Sequence, residues 1–138
     1  MAKPAAELTR AWLLKAFSDW DTARQIGGLP DGHLDAGIYH CQQAVEKPLK
    51  GFLVLHGKPF EKIHDLGKLL EQAILVNDAF EEFADAADTL TPYSVAYRYP
   101  DEQGILEPSR EEFDEALKHA SAIYNFVLNL LPKEARPE

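Results

Sequence analysis

The segment AYRYPD, residues 96–101, carries side chains that a plain connection between helices does not need. Arg98 offers five fixed N–H donors that suit a phosphate or a carboxylate, and Tyr97 and Tyr99 are able to stack on a base or on the guanidinium. The alternative is structural: the tyrosines close one end of a helical bundle while Arg98 pairs with Asp101 or with a helix C-terminus. The segment alone leaves both interpretations open.

A second set of polar residues lies between positions 39 and 50. Its members recur at intervals of four, three and four, which places them on one helix face: Tyr39, Gln43, Glu46 and Lys50, flanked by Gln42 and Lys47. One interpretation is a solvated face, in which a pair such as Glu46 with Lys50 contributes only about 0.3–0.5 kcal/mol. The other is a surface for a polar ligand or a partner protein.

Other chemistries find little support in the sequence. A helical zinc pair needs ligands one turn apart, and the five histidines lack that spacing: His33, His40, His56, His64 and His119. His64 and Asp65 lie at a predicted helix start, where they cap or orient. The lone Cys41 lies on an apolar helix face, so it is interpreted as a small core residue and excludes an internal disulfide. There is no G-x-S-x-G, Walker or dinucleotide motif, and neither a cofactor nor a metal is expected.

Composition narrows the class of protein. A chain of 138 residues with 46% hydrophobic residues is expected to form one domain with one core. The formal net charge of −9 argues against a general nucleic-acid coat, because such proteins bind through many Lys and Arg contacts to phosphates. The sequence lacks a signal peptide and an apolar run of about 20 residues, so a soluble, cytoplasmic protein without a membrane span is expected.

Hydrophobic spacing predicts the elements that position these residues. Apolar side chains three and four apart indicate five helices, at about residues 5–26, 32–56, 64–76, 78–90 and 110–131. No long stretch alternates with period two. We therefore predict an all-α, up-and-down bundle of about five helices in a single domain, residues 1–138, with a core at about 8–131 and a flexible tail at 132–138.

Local signals set the expected helix ends. Asp31 is a plausible N-cap for the second helix, and Gly27 or Gly28 is able to end the first in the left-handed conformation. Gly57 is expected to end the second helix, and Pro48 to kink it. Further signals predict a cap at Thr91–Pro92, opening a short turn through Tyr97, and a capping box formed by Ser109 and Glu112.

Four segments together resemble the HEPN domain, a helical module of prokaryotic proteins often encoded beside minimal nucleotidyltransferases. They are YHCQQAVEKPLKGFLVLHG, KIHDLGKLL, YRYPD and AFSDWDTARQI, and the resemblance covers about residues 8–131. It implies a bundle of four or five helices. It also implies that the recurrent polar positions of the family are occupied here by Gln43, Glu46, Lys47, Lys50, His64, Asp65, Arg98, Tyr99, Pro100 and Asp101.

The resemblance also implies a homodimer. A seam of apolar residues on the last helix and the aromatic residues Trp12, Phe17 and Trp20 on the first exceed what one small core easily covers. Light scattering that gave only the monomer mass of 15.5 kDa at micromolar concentration would contradict this expectation.

Many HEPN members are toxins that cut RNA without a metal, using an arginine followed by a histidine after four to six intervening residues. From Arg98 those positions are Gln103, Gly104 and Ile105, and His119 lies eight intervening residues after Arg110. The resemblance therefore implies the branch that binds a nucleotide or partners a nucleotidyltransferase, in a toxin–antitoxin-like or stress-response pair.

In that branch Tyr97 or Tyr99 would be the modified residue. The alternative is a metal-independent ribonuclease in which His64 or His119 replaces the missing histidine.

Overall fold

Five α-helices dominate the computed structural model, which describes residues 2–60 and 62–137. They are α1 (Ala2–Gly27), α2 (Leu34–Leu55), α3 (Leu66–Val76), α4 (Ala84–Leu90) and α5 (Arg110–Leu130). Short 3-10 helices cover Asp78–Phe83, Thr91–Ser94 and Lys133–Ala135. Within the described residues there is no strand beyond an isolated bridge between Asp101 and Gly104, so the predicted all-α bundle is confirmed.

The long helices α1 and α2 pack as an antiparallel pair. Thr9, early in α1, donates a 2.8 Å hydrogen bond to the carbonyl oxygen of Gly51, late in α2, while Asp19 further along α1 reaches back to Lys47. The close approach at Gly51 needs a residue without a side chain, because a Cβ there would lie 2.9 Å from Cδ2 of Leu13. This pairing fixes the α2 face that carries most of the polar candidates.

Helix α5 closes the core against both long helices. Its buried side chains include four residues of the predicted apolar seam, Phe113, Ala120, Tyr124 and Val127, together with Ala116 and Ile123, whereas Leu117 is only partly buried. The Phe113 ring fits between α1 and α2, where a Cβ added to either Gly27 or Gly37 would lie 2.6 Å from it. The predicted capping box is present, with Ser109 and Glu112 each bonding the backbone N–H of the other.

Several predicted helix boundaries were wrong. The segment 78–90 is not one α-helix, because residues 78–83 form a tighter 3-10 helix that turns Phe80 fully into the core. Positive φ angles among the described glycines occur at Gly57, as predicted, and at Gly104, so α1 does not end in a left-handed glycine. His33 rather than Asp31 precedes α2, without a side-chain cap.

Thr91 does not cap the short helix it was expected to open. It lies inside the 3-10 helix Thr91–Ser94, where its Oγ1 donates to the carbonyl oxygen of Ala87 at 2.8 Å and accepts from the N–H of Leu66 at 3.1 Å. Thr91 therefore ties the start of α3 to the segment that leads to Arg98. Helix α2 continues through Pro48 without a break.

Part of the C-terminal segment, for which a flexible tail was predicted at 132–138, packs against the bundle. Ala135 is fully buried, and Nε of Arg10 donates to the carbonyl oxygen of Arg136 at 3.1 Å. Beside this segment, α1 and α5 enclose a cavity of about 380 Å³. Its lining is mixed aromatic and polar: Phe17, Trp20, Tyr124, Asn125, Leu128, Asn129, Arg136 and Pro137.

Two surface properties bear on the remaining expectations. Phe17 is 45% exposed at the mouth of this cavity, and dimerisation through such residues stays a prediction. In the part of the chain that the structure describes, no helix is both long enough and apolar enough to span a membrane.

Candidate ligand-binding site

Glu46 is the centre of a buried polar cluster on α2. Its side chain is 4% exposed, Oε2 accepts from Nζ of Lys50 at 3.0 Å, and Oε1 lies 2.7 Å from Nδ1 of His64. Nε2 of Gln42 donates to Oε1 at 3.1 Å, and Nε2 of Gln43 donates to Oε1 of Gln42 at 2.7 Å. We call Gln42, Gln43, Glu46, Lys50 and His64 the Glu46 cluster.

The interpretation of this α2 face as solvated was wrong. The side chain of Lys50 is only 8% exposed, and its ammonium lies over the rings of Trp12, at 5.8 Å, and Phe60, at 5.5 Å. Helix α1 and the segment before α3 cover the face, so the pair between Glu46 and Lys50 is a buried one. A buried pair is far more sensitive to loss of one partner than an exposed pair.

One ring nitrogen of His64 contacts the buried Glu46, and the rest of the ring faces solvent. Because a carboxylate only accepts hydrogen bonds, the contact with Glu46 places a proton on Nδ1, and in the neutral imidazole Nε2 is then an acceptor, in a side chain that is 62% exposed. The neighbouring Asp65 caps α3, accepting from the N–H of Lys68 at 3.2 Å. The sequence-based prediction that this pair caps and orients is thus confirmed for Asp65.

A second buried carboxylate, Asp19 on α1, binds two side chains of α2. Its Oδ2 accepts from Nζ of Lys47 at 2.6 Å and its Oδ1 lies 2.8 Å from Nδ1 of His40. Burial alone raises the pKa of Asp19, but the hydrogen bonds from His40 and Lys47 outweigh it and hold the pKa below its usual 3.8. Sequence reasoning missed Asp19, because nothing local connects it to residues on another helix.

The pKa of Glu46 is lowered in the same way. Burial raises it, and hydrogen bonds from His64, Lys50 and Gln42 bring it below the usual 4.5. A carboxyl group whose pKa is depressed by folding stabilises the protein above its unfolded-state pKa, and this contribution is lost as the pH falls through the folded-state pKa. Both carboxylates therefore stabilise the folded protein at neutral pH, and this stabilisation is lost in acid.

We expect the free energy of unfolding to fall in acid. The contribution of Glu46 is lost as the pH drops below 4.5, and that of Asp19 as the pH drops below 3.8. Urea unfolding followed by circular dichroism between pH 3 and pH 7 measures it. The combined variant Asp19→Asn, Glu46→Gln should show a shallower acid slope, whereas Asp31→Asn, at an exposed acid, should keep it. Equal slopes in all three proteins would contradict the assignment.

Arg98 lies at the other end of the α2 face. Its guanidinium carbon lies 4.3 Å from the centre of the Tyr39 ring, and its NH1 donates to the carbonyl oxygen of Ser94 at 3.2 Å. Among the described residues no carboxylate forms an ion pair with it. Together with Asp35, Ala36, Tyr39 and Tyr97, Arg98 lines a cavity of about 250 Å³, which we call the Arg98 cavity.

Tyr97 is the anchor that directs Arg98 toward α2. Its φ of +68° is rare for a residue with a side chain and is kept where surrounding contacts enforce it. Those contacts are a stacked ring, Tyr93 at 6.1 Å, and a hydroxyl that donates to Oε2 of Glu112 at 3.0 Å. Burial and this hydrogen bond raise the pKa of the Tyr97 hydroxyl. Tyr97 therefore closes the bundle, as one of the two interpretations predicted.

The remaining residues of the segment behave differently. Tyr99 is 68% exposed, with the Arg98 guanidinium 5.6 Å from its ring. Asp101 does not pair with Arg98; its Oδ1 accepts from the N–H of Gln103 at 2.8 Å in a tight turn. Arg98 instead meets the C-terminus of a 3-10 helix through Ser94, which is one of the two partners that the structural interpretation gave it.

The Glu46 cluster and the Arg98 cavity share one strip of α2. Tyr39 and Glu46 are seven residues apart, about 10 Å along a helix axis. Most of the predicted site residues contact this strip directly, whereas Tyr99 and Asp101 lie beyond Arg98 and Asp65 lies beside His64. Ligand binding by these residues stays a prediction, and no group of three or more metal-ligating side chains is placed to hold an ion in the described chain.

Comparison with known proteins gives the family. A family model described as the HEPN domain matches residues 9–130. The chain belongs to the HEPN domain family. The sequence-based resemblance is therefore confirmed, over almost the same range.

Individual HEPN relatives agree with this assignment. The chain is 24% identical to "Putative toxin MJ1304" of Methanocaldococcus jannaschii, over 91% of this chain and 89% of that protein. The crystal structure of TT1696 from Thermus thermophilus superposes with a TM-score of 0.79 and 30% identity, over 95% of this chain and 100% of that one.

The crystal structure of ST0689, described as an archaeal HEPN homologue, has a TM-score of 0.71 and 23% identity, over 88% and 96% of the two chains, and supports the fold.

Proposed function

We propose that this HEPN domain is a non-catalytic nucleotide-binding module that partners a small nucleotidyltransferase. The observation that carries the proposal is Arg98, a guanidinium stacked on Tyr39 at the edge of a cavity and unpaired with any described carboxylate. Stacking uses the face of the guanidinium and leaves N–H donors at its edge for a phosphate.

Charge pairing distinguishes Arg98 from the other predicted cations of the site. Lys47 and Lys50 neutralise Asp19 and Glu46, so their charge is already balanced within the protein. In a chain with a net charge of −9, an arginine whose charge is not balanced by a contacting carboxylate is a local site of anion attraction. Lys47 and Lys50 thus support the α2 strip, and Arg98 contacts the phosphate.

The cavity also fits part of a nucleotide by size. Sites for drug-sized ligands enclose about 300–1000 Å³, so a cavity of about 250 Å³ suits a base rather than a whole nucleotide. The sugar and phosphate then remain outside, beside Arg98. Tyr99, exposed next to the guanidinium, adds an aromatic face on the solvent side.

We expect Arg98→Ala to weaken nucleotide binding about 10- to 100-fold, because a hydrogen bond to a charged group contributes about 1.5–3 kcal/mol. Isothermal titration calorimetry with ATP, GTP, CTP and UTP measures the effect. Arg24→Ala is the matched control, since Arg24 is also an exposed arginine lying over an aromatic ring, that of Trp20. Nucleotide binding that is absent, or unchanged in Arg98→Ala, would refute the proposal.

Partnership with a nucleotidyltransferase makes Tyr99 the favoured modification site over Tyr97. In nucleotidyl transfer the phenolic oxygen attacks the α-phosphorus of a nucleoside triphosphate, a Tyr–O–P bond forms, and pyrophosphate leaves with the phenolic proton passing to solvent. The Tyr97 hydroxyl is held by Glu112, whereas Tyr99 is 68% exposed. A nucleotidyltransferase captured from the native host should modify the wild type and Tyr97→Phe but not Tyr99→Phe, as read by mass spectrometry; the reverse pattern would exclude Tyr99.

A second candidate function is metal-independent RNA cleavage, favoured by one observation. His64, oriented by the buried Glu46, presents Nε2 as a base toward solvent on the same α2 strip as Arg98. That base would take the 2′-hydroxyl proton, the oxygen would attack phosphorus, and the 5′ oxygen would leave. The geometry favours nucleotide binding instead. Arg98 lies over Tyr39 and His64 is held by Glu46, and these two residues of α2 are about 10 Å apart along the helix, whereas in cleavage one phosphate must approach both side chains.

Incubation of total RNA with the protein in EDTA separates the two functions. If the protein is a ribonuclease, the wild type should cleave RNA, and cleavage should be lost in Arg98→Ala and in either His64→Ala or His119→Ala. RNA left intact by high concentrations of the wild type would remove this candidate.

A further inference from the structure

Asp35 brings an unsatisfied acceptor to the Arg98 cavity. It lies in the first turn of α2, one turn before Tyr39, and lines the cavity. Its Oδ1 is shielded from water and has no hydrogen-bond partner among residues 2–60 and 62–137. Buried carboxylate oxygens in folded proteins almost always have a donor, so this atom marks a place where a donor belongs.

The neighbouring side chains do not supply that donor. The hydroxyl of Tyr97 is committed to Glu112, and the guanidinium of Arg98 donates to Ser94 and leaves Oδ1 of Asp35 without a partner. The cavity is thus lined by aromatic rings, by a guanidinium and by the Asp35 carboxylate, whose shielded Oδ1 reaches the cavity when the carboxylate rotates. A planar ligand that carries adjacent N–H donors complements this set.

We propose that Asp35 makes the Arg98 cavity selective for guanine. This inference rests on the proposed nucleotide binding and names the base. Guanine carries an N1–H and a 2-amino N–H side by side, spaced like the two oxygens of a carboxylate, and rotation about the Cβ–Cγ bond of Asp35 presents both oxygens. With the base held there, the phosphate extends to the exposed edge of Arg98.

The other bases leave the carboxylate poorly matched. Adenine presents the N1 lone pair, an acceptor, where guanine has its N1–H, so two acceptors would face each other. Uracil has one N–H between two carbonyl oxygens, and hypoxanthine keeps N1–H but lacks the 2-amino group. A bidentate pair of this kind discriminates against the wrong base by about 10- to 100-fold.

Competition binding with nucleoside 5′-monophosphates tests the inference. The wild type should bind GMP about 10- to 100-fold more tightly than AMP, with IMP between them. In Asp35→Asn the preference should move from GMP to xanthosine 5′-monophosphate, because xanthine has a carbonyl oxygen at position 2 that accepts from the new amide N–H₂. Asp31→Asn, which removes a nearby exposed charge, should retain the preference for GMP.

The outcomes separate this inference from the proposed function. Equal binding of GMP and AMP by the wild type would overturn guanine selectivity while leaving nucleotide binding intact. Binding of none of the nucleotides would overturn both. The ratio of GMP to AMP affinity in the wild type tests the inference even if Asp35→Asn does not fold. If Asp35→Asn folds and still prefers GMP, Asp35 is not the residue that selects guanine.

Discussion

Replacing Glu46 by glutamine is expected to lower the free energy of unfolding by about 3–5 kcal/mol, the cost of breaking a buried ion pair by removing one partner. The substitution keeps the shape of the side chain but leaves the ammonium of Lys50, in a side chain only 8% exposed, without a countercharge. It also leaves a single carbonyl oxygen to accept from both Lys50 and His64. Urea unfolding at neutral pH followed by circular dichroism measures the loss.

Two further variants show whether charge is the cause. The double variant Glu46→Gln, Lys50→Met should recover most of the lost stability, because a buried pair replaced by neutral groups of similar volume is often neutral. Asp21→Asn breaks an exposed pair with Arg24 and should leave the free energy of unfolding almost unchanged. A loss below about 1 kcal/mol in Glu46→Gln would show that the pair behaves as a surface pair.

Phe113→Ala is expected to destabilise the fold by a similar amount, about 3–5 kcal/mol. The ring is fully buried between Gly27 and Gly37, whose missing side chains cannot fill the space it leaves. Thermal and urea unfolding measure the change. Leu75→Ala removes a large apolar side chain that is 86% exposed and should alter stability by less than about 0.5 kcal/mol.

The fit of Phe113 against Gly37 makes a sharper prediction. In the wild type Gly37→Ala should be destabilising, because the new Cβ would lie 2.6 Å from Cε1 of the ring. In the Phe113→Ala background the same change should cost much less, because only Cγ2 of Ile26, at 3.1 Å, still crowds the new Cβ and alanine favours a helix more than glycine. A double-mutant cycle with additive effects would show that the ring and the glycine do not constrain each other.

Much of the fold was predictable because its signals are local. The spacing of apolar residues located the helices, the Ser109–Glu112 pair specified a capping box, and Gly57 ended α2 as expected. Residues 78–83 were mistaken for α-helix because the α and 3-10 forms share similar apolar spacing over one or two turns. The 3-10 form was decided by Phe80, which packs on Phe52 and Phe126 from distant helices.

The sequence grouped the residues of the candidate site but did not predict their environment. Helical spacing placed Gln43, Glu46 and Lys50 on one face, yet what covers a face depends on residues far away in sequence, here Trp12 and Phe60. Asp19 contacts His40 and Lys47 only because α1 packs against α2, so no local sequence pattern predicts these contacts. Asp35 did leave a signal, since it precedes Tyr39 by one helical turn.

The segment AYRYPD places a residue that closes the bundle next to a candidate ligand-binding residue. Tyr97 closes the bundle through Glu112 in a rare backbone conformation, and the next residue, Arg98, lies over Tyr39 beside a cavity. A substitution such as Tyr97→Phe removes the hydrogen bond that supports this conformation without adding a charge. The structural residue thereby prepares the position of the residue for which we propose ligand binding.

Nitrogen–proton correlation spectra of the protein during titration with GMP, AMP, CMP and UMP test the nucleotide site most directly. Binding in the Arg98 cavity predicts shifts centred on the backbone of Asp35, Tyr39 and Arg98 and on the Nε–H of Arg98. The indole N–H of Trp20, which lines the separate cavity between α1 and α5, should stay unchanged. Shifts centred on Trp20, or no shifts with any of the four nucleotides, would contradict the proposed nucleotide site.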